Sequence, residues 1–85
     1  MVLFRSGSTS LNVPPDHVQT DTINVNVPDG YKIGTVSIAA RTGSSMQYLY
    51  TVADTAFTYA VRNFSTVTEQ SIPILWRCAL VKKNL

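Results

Sequence analysis

Residues 22–27 read Thr-Ile-Asn-Val-Asn-Val, an alternation of polar and apolar side chains with a period of two. Successive side chains of a β-strand point to opposite faces, so Ile23, Val25 and Val27 would share one face. The pattern therefore predicts a half-buried strand whose other face lies in water. The Pro-Asp-Gly sequence of residues 28–30 predicts a turn directly after this strand.

Three further runs alternate in the same way, at residues 31–41, 46–52 and 57–61. The connection at residues 53–55 is short, so the second and third of these runs predict a β-hairpin. Phe57, Tyr59 and Val61 share one face of its second strand and are candidates for the core.

The last run, residues 72–81, is apolar on both faces. Ile72, Ile74, Trp76, Cys78 and Leu80 line the predicted core face of this run. Leu75, Ala79 and Val81 lie on the opposite face. A strand that is apolar on both faces must be covered on both, and in so small a domain a second molecule is the expected cover. We therefore predict that Leu75, Ala79 and Val81 form an oligomer interface.

The first 19 residues are predicted to be irregular. Short strands are expected at residues 2–4 and 11–13, separated by the flexible Gly-Ser-Thr-Ser of residues 7–10, and the Pro-Pro-Asp of residues 14–16 predicts a loop. Five to seven strands spaced by turn signals predict an all-β fold, a small antiparallel β-sandwich or a jelly-roll-like barrel. Residues 1–85 would form one domain, with the main sandwich at residues 20–83.

The composition excludes several classes of function. Only 14% of the 85 residues are charged and the net charge is +2, which is too little for a nucleic-acid interface. No run of 18 apolar residues predicts membrane insertion, and the N-terminus lacks the pattern of a signal peptide, which is consistent with synthesis in the cytoplasm. We expect no partner nucleic acid and no membrane insertion.

The residues that commonly carry catalysis are few. Cys78 falls on the core side of the last strand, where a thiol is unreactive, and His17 follows the proline-rich loop. The five carboxylates are scattered, no glycine-rich phosphate loop is present, and the sequon at residues 63–65 is expected to be a chance match. We predict no enzyme, no metal site and no cofactor.

Saccharide binding uses aromatic rings that stack on a sugar together with side chains that hydrogen-bond its hydroxyls, and this chain contains both residue types. At strand spacing Tyr48 and Tyr50 point the same way; they are exposed if Leu49 faces inward and belong to the core if it does not. The candidate ligand-binding residues are these two tyrosines with Arg41 and Asp54, which lie in loops at opposite ends of one strand. Two such loops cannot form one small site within a single subunit.

Three segments carry a family resemblance: Val-Asn-Val-Pro-Asp-Gly-Tyr at residues 25–31, Val-Arg-Asn-Phe-Ser at residues 61–65, and the closing strand from residue 74 to the lysines at residues 82–83. Together they resemble the C-terminal domain of tail-fibre, baseplate or minor structural proteins of bacteriophages and prophages, especially those of Gram-positive hosts. The resemblance covers roughly residues 20 to 83.

The resemblance implies a β-sandwich at the distal end of a fibre, commonly a homotrimer located in the virion. Its partners would be two further copies of itself, other virion proteins and a cell-wall polysaccharide of the host. Its role would be host recognition without catalysis. The alternative is a purely structural trimerisation cap or a virion decoration protein that binds no ligand.

Overall fold

The computed structural model describes residues 3–40, 45–68 and 70–83. These residues form six antiparallel strands and no helix. The strands are β1 (Leu3–Val13), β2 (Val18–Asn24), β3 (Tyr31–Ala40), β4 (Ser45–Val52), β5 (Ala56–Asn63) and β6 (Gln70–Lys82). The predicted all-β class is confirmed, and the number of strands lies within the predicted range.

The strands form two three-stranded sheets. The first sheet has the order β1-β6-β3 and the second has the order β2-β5-β4. Strands β4 and β5 form the predicted hairpin, whereas the other consecutive strands of the described ranges lie in different sheets. The chain therefore crosses repeatedly between the two sheets, an arrangement that is consistent with a small β-sandwich.

The core lies between the sheets and is built by strand alternation. Phe57, Tyr59 and Val61 of β5 are buried, as their shared face predicted. The largest contribution from the first sheet comes from alternate residues of β6, namely Ile72, Ile74, Cys78 and Leu80. Trp76 belongs to the same row but is only half-buried, with its ring edge-on to Phe57 at a centroid distance of 5.6 Å. Its role is thus structural.

The sandwich is elongated. Its Cα atoms extend over 50 × 17 × 14 Å and give a radius of gyration of 14.3 Å, whereas a compact domain of this length would have roughly 12 Å. The cause is the length of β1 and β6, which run beside each other from Leu3 opposite Leu80 to Val13 opposite Gln70. A narrow sandwich of this kind leaves one whole face of each sheet outside the core.

The predicted loop at residues 14–16 is confirmed, but the prediction for residues 3–13 was wrong. Residues 3–13, including the expected flexible link at residues 7–10, form one strand, β1, which is paired with β6 along its whole length. Gly7 lies opposite Trp76, and a Cβ atom built on Gly7 would be only 2.7 Å from Cζ2 of the indole ring. The absence of a side chain at Gly7 therefore allows the indole to approach the backbone closely, and the strand continues through this residue.

The predicted alternation of β4 also fails beyond Leu49. A β-bulge between Leu49 and Thr51 places Thr51, and not Tyr50, opposite Thr58 of β5. An extra residue in one strand disrupts the strict period of two, so residues on either side of it no longer follow a common alternation. Tyr48 precedes the bulge and keeps its regular partner, Ala60.

Replacing Gly7 with alanine should destabilise the fold, since the new methyl group would collide with the Trp76 indole. We expect Gly7→Ala to lower the free energy of unfolding by about 1–3 kcal/mol, measured by urea denaturation. Ser8→Ala, at the neighbouring exposed position, is the matched control and should change it by less than about 0.5 kcal/mol. Equal stability of Gly7→Ala and the wild type would show that the indole does not cover this backbone.

Candidate functional site

The outer face of the second sheet presents two adjacent rows of side chains, each with one residue from every strand. Alternation with the buried side chains of β5 directs both rows outward. We call their six members the threonine face: Thr20, Ala60 and Tyr48 in one row, and Thr22, Thr58 and Thr51 in the next.

Tyr48 is the aromatic side chain of the threonine face, and 41% of it is exposed. Ala60, its neighbour on the central strand, is completely buried although it points away from the core. Flanking side chains therefore cover this small residue. On the next row, the Oγ1 atoms of Thr22 and Thr58 are 2.8 Å apart and share a hydrogen bond.

No hydrogen bond or ion pair joins Tyr48, Tyr50 and Asp54, the three predicted ligand-binding residues that the structure describes. Tyr48 and Tyr50 are 41% and 66% exposed, but Leu49 between them is also 39% exposed, so β4 is open to solvent on both faces. The bulge removes Tyr50 from the row position opposite Thr58. Asp54 lies in the turn after β4, 3.9 Å from Nζ of Lys83. Arg41 lies outside the described residues.

Leu75, Ala79 and Val81 all lie on the outer face of the first sheet, where the alternation of β6 predicts them. Leu75 is 36% exposed, and Phe4 on the neighbouring β1 is 56% exposed. Two shallow depressions of about 260 and 190 Å³ border this face; Arg77 lines both. Its guanidinium carbon lies 4.9 Å from the centre of the Phe4 ring, within the range of a cation–π contact.

Asn63, at the end of β5, is fully buried and connects both sheets. Its Nδ2 atom donates hydrogen bonds to the carbonyl oxygens of Val13 (3.0 Å) and Thr68 (2.9 Å), and the Ser65 amide donates to its Oδ1 atom (2.9 Å). The side chain that opens the sequon is thus enclosed by the fold, which supports the prediction of a chance match.

The histidine and the cysteine lie in different environments, one exposed and one buried. His17 is exposed, and its Nδ1 atom lies 2.6 Å from the carbonyl oxygen of Pro15. Cys78 is buried, and this burial raises the pKa of its thiol, although the neighbouring Arg5 acts in the opposite direction. A thiol whose pKa is raised stays protonated at neutral pH and is a poor nucleophile.

Tyr59 and Asp21 form a polar contact at the edge of the core. The Tyr59 hydroxyl donates a hydrogen bond of 3.3 Å to Oδ2 of Asp21, while Oδ1 of Asp21 accepts one from the Thr22 amide. Burial, followed by the negative charge of Asp21 and this hydrogen bond, raises the pKa of Tyr59 to about 12. The carboxylate of Asp21 therefore takes part in a structural contact within the fold.

Within residues 3–40, 45–68 and 70–83, no group of three or more His, Cys, Asp or Glu side chains is placed to hold a metal ion. The same ranges contain no helix long and apolar enough to cross a membrane. No protein-family model matches the chain, and neither a curated protein nor a solved structure matches it.

The threonine face was missed in the sequence because its members come from three strands. The spacing of Thr20 and Thr22 is one visible signal, since two residues apart on a strand share a face. The alignment of this pair with Thr58 and Thr51 depends on strand register and on the bulge, neither of which a local pattern specifies.

Replacing Asn63 with aspartate tests its role as a hydrogen-bond donor. The change preserves shape but points a carboxylate oxygen at the carbonyl oxygens of Val13 and Thr68, so we expect Asn63→Asp to lower the free energy of unfolding by more than about 2 kcal/mol at pH 7. Asn24→Asp, at an exposed strand end, is the control and should have little effect. Similar urea midpoints for both variants would contradict the role assigned to Asn63.

The raised pKa of Tyr59 predicts a loss of stability in alkali. The contribution of the neutral phenol is fully present below its usual pKa of 10.0 and is lost as the pH rises through about 12. Between these values the free energy of unfolding should fall by about 1.4 kcal/mol per pH unit from this group.

Tyr59→Phe should remove that part of the pH dependence, which urea denaturation at pH 9 to 12 would measure. Tyr50→Phe is the matched control, because Tyr50 is 66% exposed, and should retain the wild-type slope. An unchanged slope in Tyr59→Phe would show that other groups cause the alkaline loss.

Proposed function

We propose that the chain is a homotrimeric, non-enzymatic module of a phage tail fibre or baseplate that binds a saccharide of the host cell surface. The segments at residues 25–31, 61–65 and 74–83 support this proposal through their family resemblance. The protein would be made in the host cytoplasm and function in the virion, in contact with other virion proteins.

The observation that carries the proposal is the outer face of β6. Leu75, Ala79 and Val81 lie along it, with Arg77 between the first two, and the exposed ring of Phe4 lies beside Ala79 on β1. When a second copy covers a sheet face that carries these apolar side chains, apolar surface is removed from water and the assembly is stabilised. Three copies arranged about a three-fold axis would bury this face and leave the second sheet outward.

Arg77 lies between Leu75 and Ala79 on the same face, so self-association must accommodate its charge. The guanidinium packs on the ring of Phe4, and this cation–π contact stabilises the charge in place of a carboxylate partner. By register it is flanked by Ser6 on β1 and Ser37 on β3, whose hydroxyls belong to the same row. This polar row would supply hydrogen-bonding groups inside an otherwise apolar interface.

A purely structural role, as a trimerisation cap or a decoration protein, is the second candidate. It is favoured by the separation of Tyr48 from Asp54, since a ligand-free module needs no converging site. Both candidates require the same oligomer. Only the recognition module would be retained on bacterial cells, so co-sedimentation with a panel of Gram-positive bacteria separates them.

We expect light scattering behind a sizing column to give three times the 9.3 kDa of one chain. Leu75→Glu should shift the protein to monomer at micromolar concentration, because three carboxylates would replace apolar side chains and lose their hydration at the interface, a cost that the neighbouring Arg77 offsets only in part. The fold should survive this change, since Leu75 faces away from the core.

Val67→Glu is the control for the trimer prediction. Val67 is 85% exposed in the loop after β5, so this variant should remain trimeric. A monomeric wild type, or a Leu75→Glu variant with the wild-type mass, would contradict the proposed interface.

A further inference from the structure

We propose that the threonine face binds a neutral polysaccharide, with the ring of Tyr48 stacked on the apolar side of one pyranose. The hydroxyls of Thr22, Thr58 and Thr51 would exchange hydrogen bonds with sugar hydroxyls on the adjacent ring. This inference rests on the proposed function and names both its surface and its ligand class. It assigns the binding to a sheet face and not to the loops at the two ends of β4.

The shape of the threonine face suits an extended chain of sugar rings. Neighbouring strands of a sheet lie about 4.8 Å apart, and residues two apart on one strand lie about 7 Å apart. The completely buried Ala60 adds no protrusion between Thr20 and Tyr48. A flat ligand can therefore lie across all three strands, in contact with the tyrosine ring at one row and with threonines at the next.

Two of the threonine hydroxyls, those of Thr22 and Thr58, are hydrogen-bonded to each other before any ligand binds. In the 2.8 Å contact between Thr22 and Thr58, one hydroxyl donates to the other. The pair therefore keeps one hydroxyl hydrogen and several lone pairs for other partners, so it can both donate and accept. Sugar hydroxyls also do both, which matches this pair better than a ligand that only accepts or only donates. Fixed rotamers reduce the entropy lost on binding.

The absence of net charge on this face selects a neutral ligand. The six residues of the threonine face carry no ionisable acid or base apart from the Tyr48 phenol. The nearest row along β5 contains Arg62, whose Nη2 atom lies 2.6 Å from Oδ1 of Asp16 in an ion pair. A phosphate or carboxylate on the ligand would find no unpaired cation among these residues to offset its desolvation.

The main competing surface is the depression of about 260 Å³ beside Arg77 on the first sheet, which we call the Arg77 groove. The guanidinium there has Phe4 beneath it and the hydroxyls of Thr35 and Ser37 along the groove, a combination suited to an acidic sugar. Self-association through Leu75, Ala79 and Val81 would cover this groove. The threonine face lies on the opposite side of the sandwich and would stay open in the trimer.

A glycan array tests the inference. It carries neutral oligosaccharides of glucose, galactose, rhamnose and N-acetylglucosamine, together with the same sugars bearing carboxylate or phosphate groups, and it is probed with the full chain. We expect the wild type to bind neutral members. Tyr48→Ala should lower the affinity about tenfold through loss of the stacked ring, and Thr58→Ala about threefold through loss of the shared hydroxyl pair.

Two variants are matched controls. Tyr50→Ala removes the same side chain from the bulge of the same strand and should change the affinity less than twofold. Arg77→Gln removes the cation of the competing groove and should leave binding to neutral glycans unchanged. Circular dichroism and the mass in solution show whether each variant keeps the fold and the oligomer.

The outcomes separate this inference from the proposed function. If the wild type binds bacteria while Tyr48→Ala and Thr58→Ala bind equally well, the threonine face is wrong and the proposed function stands. Binding restricted to acidic glycans and lost in Arg77→Gln assigns the ligand to the first sheet and also overturns the inference. A wild type that binds neither the array nor bacteria contradicts both.

Discussion

The buried amide of Asn63 is the interaction on which the arrangement of the two sheets depends at one end of the sandwich. Its strand belongs to the second sheet, while Val13, which accepts one of its hydrogen bonds, ends a strand of the first. Its bond to Thr68 fixes the loop through which the chain returns to the first sheet. An amide buried this completely is stable only when its donors and its acceptor are paired, so the loops must close around it.

Backbone hydrogen bonds do the corresponding work at the opposite end. The Ile33 amide donates to the carbonyl oxygen of Asp54, and the Val25 amide donates to that of Thr55, both at 2.9 Å. The turn of the β4–β5 hairpin is thereby tied to the segment that enters the first sheet. Asp54 is used here mainly through its backbone, which explains why an aspartate in a loop need not belong to a binding site.

The alternation of polar and apolar residues predicted those strands whose side chains divide between the core and the solvent. The β4–β5 hairpin and the core face of β6 follow from alternation, because their side chains divide between core and solvent. The strand predicted at residues 22–27 is correct only as far as Asn24, where β2 ends; Val25 is buried but lies in the connection to β3. The strand β1 could not be recognised in this way. Its serines and Gly7 have weak strand preference, and it is ordered by pairing with β6 and by the indole of Trp76, both distant in sequence.

The candidate site was predicted only in part for a related reason. Exposure of Tyr48 depends on which face of β4 turns inward, and alternation alone left that choice open. The bulge at Tyr50 then exchanged a tyrosine for Thr51 at the position opposite Thr58. A single inserted residue changes which side chains meet across a sheet, and nothing in the composition of residues 45–52 marks where it occurs.

The narrowness of the sandwich couples the two proposed uses of its outer faces. Each sheet covers the core with one face only, so a partner on the first sheet would add to the stability of a small core as well as define the oligomer. Three copies joined in this way would present three threonine faces on one particle. A flat surface such as this buries little of a sugar and binds it weakly, whereas three linked faces on a repeating polysaccharide gain from a high effective concentration. Loss of the trimer should therefore weaken attachment to cells even in a variant whose threonine face is intact.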